Sequence, residues 1–260
     1  MVVWITGASS GIGKACAYRY ASGGASLVLT SSSATKLAEV AADCRARGAE
    51  SVLVLPYDLS RHDGIEALVG QAWNAFGKID ILLCNAGISQ RTTVEDTDDE
   101  IDRKIMEVNY FAPTAMARAI LPLMLASGGG HIAVTSSIAG YFGFPLRCSY
   151  SASKHALYGF FETLRAEYHN KGIEVTIICL GRVQTDISLN ALDKGGVRHG
   201  VMDPGQEGGI SADKAARKIV RAIRRGRREV LVGGKELLMV YVKRFFPGLC
   251  AFIGSRISPV

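Results

Sequence analysis

Val2–Thr6, running into Gly7-Ala8-Ser9-Ser10-Gly11-Ile12-Gly13, restricts what this chain can fold into more than any other stretch. A short β-branched run, a glycine-rich turn and an apolar helix pattern from Ala15 to Tyr20 make a strand–turn–helix unit. Such a unit gathers free backbone N–H groups and the positive end of a helix at one point, which suits a pyrophosphate. The spacing is Gly-x-x-x-Gly-x-Gly rather than the commoner Gly-x-Gly-x-x-Gly, and a glycine turn that binds nothing is the other reading.

The rest of the chain keeps to the same alternation. Strands are expected over 26–30, 51–55, 79–84, 132–135, 174–179 and 230–232, with helices over 35–47, 65–76, 99–126 and 153–171. Pro113 and Pro122 are the expected irregularities of the long 99–126 segment. Strands separated by helix-length segments imply right-handed crossovers and a parallel sheet. At 260 residues and 48% hydrophobic content, with no repeat or linker, the expectation is one α/β domain. Residues 1–235 form its body and 236–260 a basic and apolar extension.

No run of eighteen apolar residues is present to span a bilayer. The start leads straight into the first motif, without a signal-peptide pattern, and the six cysteines show no Cys-x-x-Cys pairing. Reduced buried thiols and a cytoplasmic location are expected. The five histidines lack partners at metal-ligand spacing, so no metal site is expected. The net charge of +6 is concentrated in residues 211–260, which hold twelve Lys/Arg against three Asp/Glu. With no aromatic stacking platform or recognition module, this basic tail does not read as nucleic-acid binding. Its apolar residues after 236 fit either an interfacial contact with anionic lipid or the subunit's own core or a dimer contact.

Tyr150 and Lys154 are four residues apart on a helical pattern, with Ser137 thirteen residues before Tyr150. Residues four apart share a helix face, and a fixed cation beside a phenol favours the phenolate over its ordinary pKa of ~10. A serine hydroxyl nearby can hold a substrate oxygen while the phenol exchanges its proton. The plainer reading is an amphipathic helix with a tyrosine and a lysine on its wet side. Cys148 either borders the same pocket or is a small buried thiol. Tyr141, Phe142, Phe144 and Leu146 are core residues or the lining of a lipophilic pocket.

Thr6-Gly7-Ala8-Ser9-Ser10-Gly11-Ile12-Gly13, Asn85-Ala86-Gly87, Asn109, Ser137 and Tyr150-x-x-x-Lys154 together resemble, in order, the motifs of the short-chain dehydrogenase/reductase family. The resemblance covers residues 1 to about 235. It implies a single Rossmann-type doubly wound domain with a seven-stranded parallel sheet, a nicotinamide cofactor, and a homodimer or homotetramer. It implies Tyr150 as general acid/base and Lys154 as the group that lowers its pKa and contacts the nicotinamide ribose. Ser137 then orients the substrate oxygen and Asn109 anchors a water link in the proton path. Gly7, Ser9, Ser10, Gly11, Ile12 and Gly13 are the implied pyrophosphate turn, Asp58 and Leu59 the adenine pair, and Asn85, Ala86, Gly87, Val183 and Thr185 further cofactor contacts.

Ser31 stands where NAD-type members carry an aspartate, which argues for NADP, with NAD as the alternative. Ser10 and Ser32 occupy the places of the arginine or lysine that commonly clamps the 2′-phosphate. Leu180-Gly181 replaces the usual Pro-Gly, a departure that resembles the 11-beta-type hydroxysteroid dehydrogenases. Residues 175–210, with Asn190-Ala191 and Arg198-His199-Gly200-Val201-Met202-Asp203, resemble the nearby dehydrogenase/reductase member seven group. The expected function is NADP(H)-dependent interconversion of a ketone or aldehyde and an alcohol on a lipophilic substrate. A nucleotide-binding sensor or scaffold without turnover is the alternative.

Overall fold

Seven short apolar runs become the strands of one sheet in the computed structural model, which describes residues 1–256. They are β1 (Val2–Thr6), β2 (Ser26–Ser31), β3 (Ser51–Pro56), β4 (Ile81–Cys84), β5 (Gly130–Ser137), β6 (Ile173–Leu180) and β7 (Glu229–Val232). All pairings are parallel, in the order β3-β2-β1-β4-β5-β6-β7. Every residue of β1, β2 and β4 is buried, as expected of parallel strands covered on both faces.

The helices are α1 (Gly11–Ala21), α2 (Ala34–Ala46), α3 (Ile65–Phe76), α4 (Asp99–Met106), α5 (Ala112–Ala126) and α6 (Cys148–Tyr168). They continue with α7 (Pro204–Glu207), α8 (Ala212–Arg224), α9 (Leu238–Phe245) and α10 (Pro247–Gly254). The period-2 alternation of β1 splits the core in two. Val3 and Ile5 join Leu37, Val40, Ile219 and Ile223 of α2 and α8, whereas Val2 and Trp4 join Leu68, Ile120, Leu157 and Phe161 of α3, α5 and α6. Each fully buried side chain of this size contributes about 1.5–3 kcal/mol. Ile120, Phe161 and Leu164 are buried in this core, while Phe160, Leu123 and Leu125 pack only partly against it.

The expected long helix over 99–126 is interrupted. Glu107–Phe111 forms a π-helical turn between α4 and α5, centred on Asn109. Pro113 lacks the N–H that would bond the Asn109 carbonyl, so the α ladder cannot continue through that point. Pro122 sits inside α5 without ending it. Asp98 caps α4, accepting the Ile101 N–H at 2.9 Å, and acidic residues in the first turn with basic ones in the last complement the helix dipole.

The strand order reverses between β1 and β4, and a cleft opens there beyond the carboxyl ends of the strands, the place where doubly wound sheets take ligands. The tail helices pack behind the β5–α6 side of the cleft. Val240 and Cys250 are buried against Ile138, Phe142 and Cys179, while Tyr141 and Phe144 pack on the same cluster. The other face of α9 and α10 exposes Tyr241, Phe245, Phe246, Leu249 and Phe252. Among the described residues, no helix is long and apolar enough to cross a membrane.

Candidate active site

The cleft encloses about 800 Å³, and its walls are built by the segments that follow β1, β2, β3, β4, β5 and β6. Of the residues expected to act in catalysis or cofactor binding, all but Gly13 and Asn109 line it, and those two stand directly behind the wall. Of Tyr141, Phe142, Phe144, Leu146 and Cys148, Phe144 alone lines it.

At the β1 end, Gly7 has φ +63°, a backbone conformation that L side chains rarely adopt. A Cβ on Gly13 would stand 2.2 Å from the Gly7 carbonyl oxygen, so the turn closes only with glycine there. Ser10, the residue before α1, makes no side-chain capping bond, which leaves the first-turn amides of α1 without a side-chain partner. The main-chain N–H groups of Asn85 and Ala86 both donate to Thr6 Oγ1, at 3.0 and 3.1 Å. Asn85 Nδ2 also donates to the Thr6 carbonyl at 3.1 Å, so the β4 turn is fastened to the glycine turn. This uncapped helix end beside a turn of glycines and small residues fits a dinucleotide pyrophosphate.

The outer part of that half is lined by Ser31, Ser32, Asp58 and Leu59. Ser31 Oγ accepts the Ser33 N–H at 3.3 Å, and Ser33 caps α2. Asp58 turns inward on its own loop, accepting both the N–H and the hydroxyl of Ser60, and Leu59 is buried. Thr185 reaches back over the glycine turn, and Val183 is buried beneath it. The altered Leu180-Gly181 segment is anchored by Glu236, whose carboxylate accepts the N–H groups of Arg182 at 2.7 Å and Gly234 at 2.8 Å.

Ser137, Tyr150 and Lys154 meet at the other half of the cleft. Ser137 is the last residue of β5, and its hydroxyl accepts the Ala139 N–H at 3.2 Å. Tyr150 lies in the first turn of α6, half-buried on the cleft wall. Lys154 is buried one turn later, its Nζ 5.7 Å from the centre of the Tyr150 ring and donating to the Thr135 carbonyl at 2.8 Å. Asn109 accepts the Ile88 N–H at 2.9 Å and donates to the Ile88 carbonyl and Ser153 Oγ, each at 3.0 Å. Gly87 sits between the groups, since a Cβ there would lie 3.2 Å from Asn109 Oδ1 and 3.5 Å from Lys154 Nζ.

Burial lowers the Lys154 pKa to about 8, which leaves the ammonium mostly charged at neutral pH. Burial pushes the Tyr150 phenol up, against a hydrogen bond from Ser137 and the charges of Arg147 and Arg91, which pull it down. The sequence pattern named Lys154 as the cation acting on the phenol. In the folded chain that ammonium lies 5.7 Å from the ring centre and donates to the Thr135 carbonyl, and the charges of Arg147 and Arg91 act on the phenol as well. Arg91, Arg147 and their shared partner Asp203 are the residues that sequence reasoning missed, together with Gln90, which accepts the Tyr150 N–H at 3.0 Å. Asp203 lies 112 residues from Arg91, and no local pattern announces such a pair. The remaining wall is apolar, from Ile88, Val108, Ile138, Phe144, Leu180 and Ile187.

Comparison with known proteins agrees with this geometry. A family described as short chain dehydrogenase matches residues 1–194. Dehydrogenase/reductase SDR family member 7B of Mus musculus is 38% identical over 252 residues, which covers 95% of this chain and 78% of that protein. A short-chain dehydrogenase/reductase from Burkholderia phymatum in complex with NAD superposes with a TM-score of 0.84 at 28% identity, covering 100% of this chain and 96% of that one. One from Sphingobium yanoikuyae in complex with NADPH gives a TM-score of 0.79 at 26% identity, covering 99% and 96%. The chain therefore belongs to the short-chain dehydrogenase/reductase family, and is an oxidoreductase built on a single Rossmann-type domain.

Proposed function

We propose that this protein is an NADP(H)-dependent carbonyl reductase or alcohol dehydrogenase for a lipophilic substrate, with Tyr150 as its general acid/base. The observation that carries this reading is the meeting of the Ser137 and Tyr150 hydroxyls on one cleft wall, with Lys154 behind them. A nicotinamide cofactor supplies or accepts the hydride when bound. Similar proteins are described in complex with NAD and with NADPH, which supports that class of cofactor. The glycine turn and the uncapped end of α1 hold the pyrophosphate, and Lys154 takes the nicotinamide ribose. Ser31 in place of an acidic residue removes the repulsion of a 2′-phosphate and favours NADP.

In the reductive direction, Ser137 donates to the substrate carbonyl oxygen and fixes it within reach of the phenol. Tyr150 gives up its proton to that oxygen as negative charge develops on it, and Lys154 and Asn109 lead a proton back to the phenolate. In the oxidative direction the phenolate takes the alcohol proton. The apolar wall around Ile138, Phe144 and Leu180 excludes water and suits an aliphatic or ring-bearing substrate.

Two further parts of the reading concern surroundings. The partly packed Leu123, Leu125 and Phe160 suit a two-fold contact between copies through α5 and α6. The exposed aromatics of α9 and α10, with Lys243, Arg244 and Arg256 beside them, suit a peripheral contact with anionic lipid. Consumption of each nicotinamide cofactor across a panel of apolar ketones and alcohols tests the function. Turnover of none of them with either cofactor would contradict it.

A further inference from the structure

The loop after β6 is held over the cleft at two places. Leu192 pairs with Gln90, its carbonyl accepting the Arg91 N–H at 2.7 Å while its own N–H donates to the Ser89 carbonyl at 2.8 Å. Further along the same loop, Asp203 accepts Arg91 Nε at 3.2 Å and Nη2 at 2.5 Å, and Arg147 Nη2 at 2.9 Å. The Arg91 side chain is 3% exposed and gives its remaining donors to Ser89 Oγ and the Gln90 carbonyl. Arg147 is the residue that opens α6, three positions before Tyr150. Arg91, Arg147, Asp203 and Tyr150 all line the cleft.

One carboxylate facing two guanidinium groups leaves an excess positive charge. In a wall from which water is largely excluded, such a charge is weakly screened and acts across several ångströms. We infer that the Arg91–Asp203–Arg147 bridge is a positioning device for the reaction, tying the substrate loop to the first turn of α6 and setting the acidity of Tyr150 through its excess charge. This rests on the acid/base role proposed above for Tyr150.

The groups that face the phenol can be named element by element. Burial disfavours the phenolate. The Ser137 hydroxyl from β5 and the two arginines favour it, and Cys179 from β6 disfavours it. On α6 itself, the Lys154 ammonium is committed to the Thr135 carbonyl. The nearest acid from α4, Asp102, accepts the Ser149 hydroxyl. Asp203 stays ionised in this setting, because burial of its carboxyl is outweighed by Arg91 and Arg147, which hold it below the usual carboxylate range. The bridge is therefore intact wherever the enzyme works near neutral pH.

Arg147→Gln, Arg147→Lys and Asp203→Asn separate charge from scaffold. The acidity of Tyr150 is read without substrate or cofactor, as the tyrosinate absorbance of each protein minus that of its Tyr150→Phe counterpart. Arg147→Gln should move the Tyr150 midpoint to higher pH, Arg147→Lys should leave it near the parent, and Asp203→Asn should move it to lower pH. Alcohol oxidation at neutral pH should fall on the order of 10-fold in Arg147→Gln, in step with the titration. Asp203→Asn should raise KM more than it changes kcat, because the loop is released. Midpoints that do not move, or that move the same way for Arg147→Gln and Asp203→Asn, would reduce the bridge to a structural tie and overturn the inference. If Asp203→Asn does not fold, the Arg147→Gln and Arg147→Lys pair decides alone. Absence of turnover with shifted midpoints would count against the acid/base reading and leave the bridge standing.

Discussion

The side-chain oxygen of Gln90 accepts the main-chain N–H of Tyr150 at 3.0 Å, so a loop residue after β4 closes the first turn of the helix that carries the phenol. That N–H is one of the first-turn donors that no helix carbonyl can reach. The Gln90 amide nitrogen is shared among Thr92 Oγ1, Thr97 Oγ1 and Cys148 Sγ at 2.9–3.2 Å, and the side chain is fully buried. Gln90→Leu therefore strands several polar groups at once. It should cost about 1–3 kcal/mol in urea unfolding and lower kcat more than it raises KM. An unchanged unfolding midpoint would mean that the cap is not holding the turn.

Cofactor choice follows from the end of β2. Ser31 is buried there with its hydroxyl turned to the Ser33 N–H, and its side chain carries no charge to repel a phosphate. NADPH should bind more tightly than NADH in a fluorescence titration, and Ser31→Asp should reverse the order. A parent protein that prefers NADH would contradict this account of the pocket.

Lys154 makes stability depend on pH in a defined direction. Its pKa of about 8 in the fold lies below the ordinary 10.5, so between those values the unfolded chain holds a proton that the native chain has released. Stability should rise with pH across that window, and the cost of burying the ammonium is present in full below pH 8. A gap of that size corresponds to about 3 kcal/mol. Lys154→Met should lack this rise, and urea unfolding of both proteins at pH 7.5 to 10.5 would reveal it. Parallel pH curves for the two proteins would contradict the assignment.

The tail divides its residues between two jobs. Val240 and Cys250 complete the core around Ile138 and Phe142, so removing the whole tail would strip the molecule's own packing. Phe245, Phe246 and Phe252 lie on the exposed face, with Arg256 stacked 3.6 Å from the centre of the Phe252 ring. Replacing these three phenylalanines by serine should leave Tm nearly unchanged. Co-sedimentation with anionic vesicles should fall sharply, since each buried aromatic contributes about 1.5–3 kcal/mol and each basic residue about 1 kcal/mol. Equal sedimentation of parent and variant would show that these side chains make no lipid contact.

The fold was legible in the sequence because it depends on local signals. Runs such as Val2–Thr6 and the helix-length segments between them fix the strand count, and the glycine turn fixes where the first helix must start. Apart from Asn109, which the π-helical turn between α4 and α5 carries, the residues expected at the site come together because each stands at or near the end of a strand or in the first turns of a helix. Three things were not legible. The break in the 99–126 segment takes the form of a π-helical turn centred on Asn109, one turn before the proline whose missing N–H interrupts the ladder. Two further cations whose charges act on the phenol, Arg91 and Arg147, are held by an aspartate far away in sequence. The inward turn of Ile120, Phe161 and Leu164 depends on helix rotation, which periodicity gives only to within a residue or so.

The central claim is that the Tyr150 hydroxyl moves the proton. Tyr150→Phe removes one oxygen from the cleft wall and leaves the ring, the helix and the glycine turn in place. The most direct measurement is kcat/KM of this variant beside the parent on any ketone or alcohol the parent turns over, with cofactor affinity measured in parallel. The account predicts a fall of about 100- to 10,000-fold in kcat/KM with cofactor affinity within a few-fold of the parent. Equal turnover by the two proteins would contradict it.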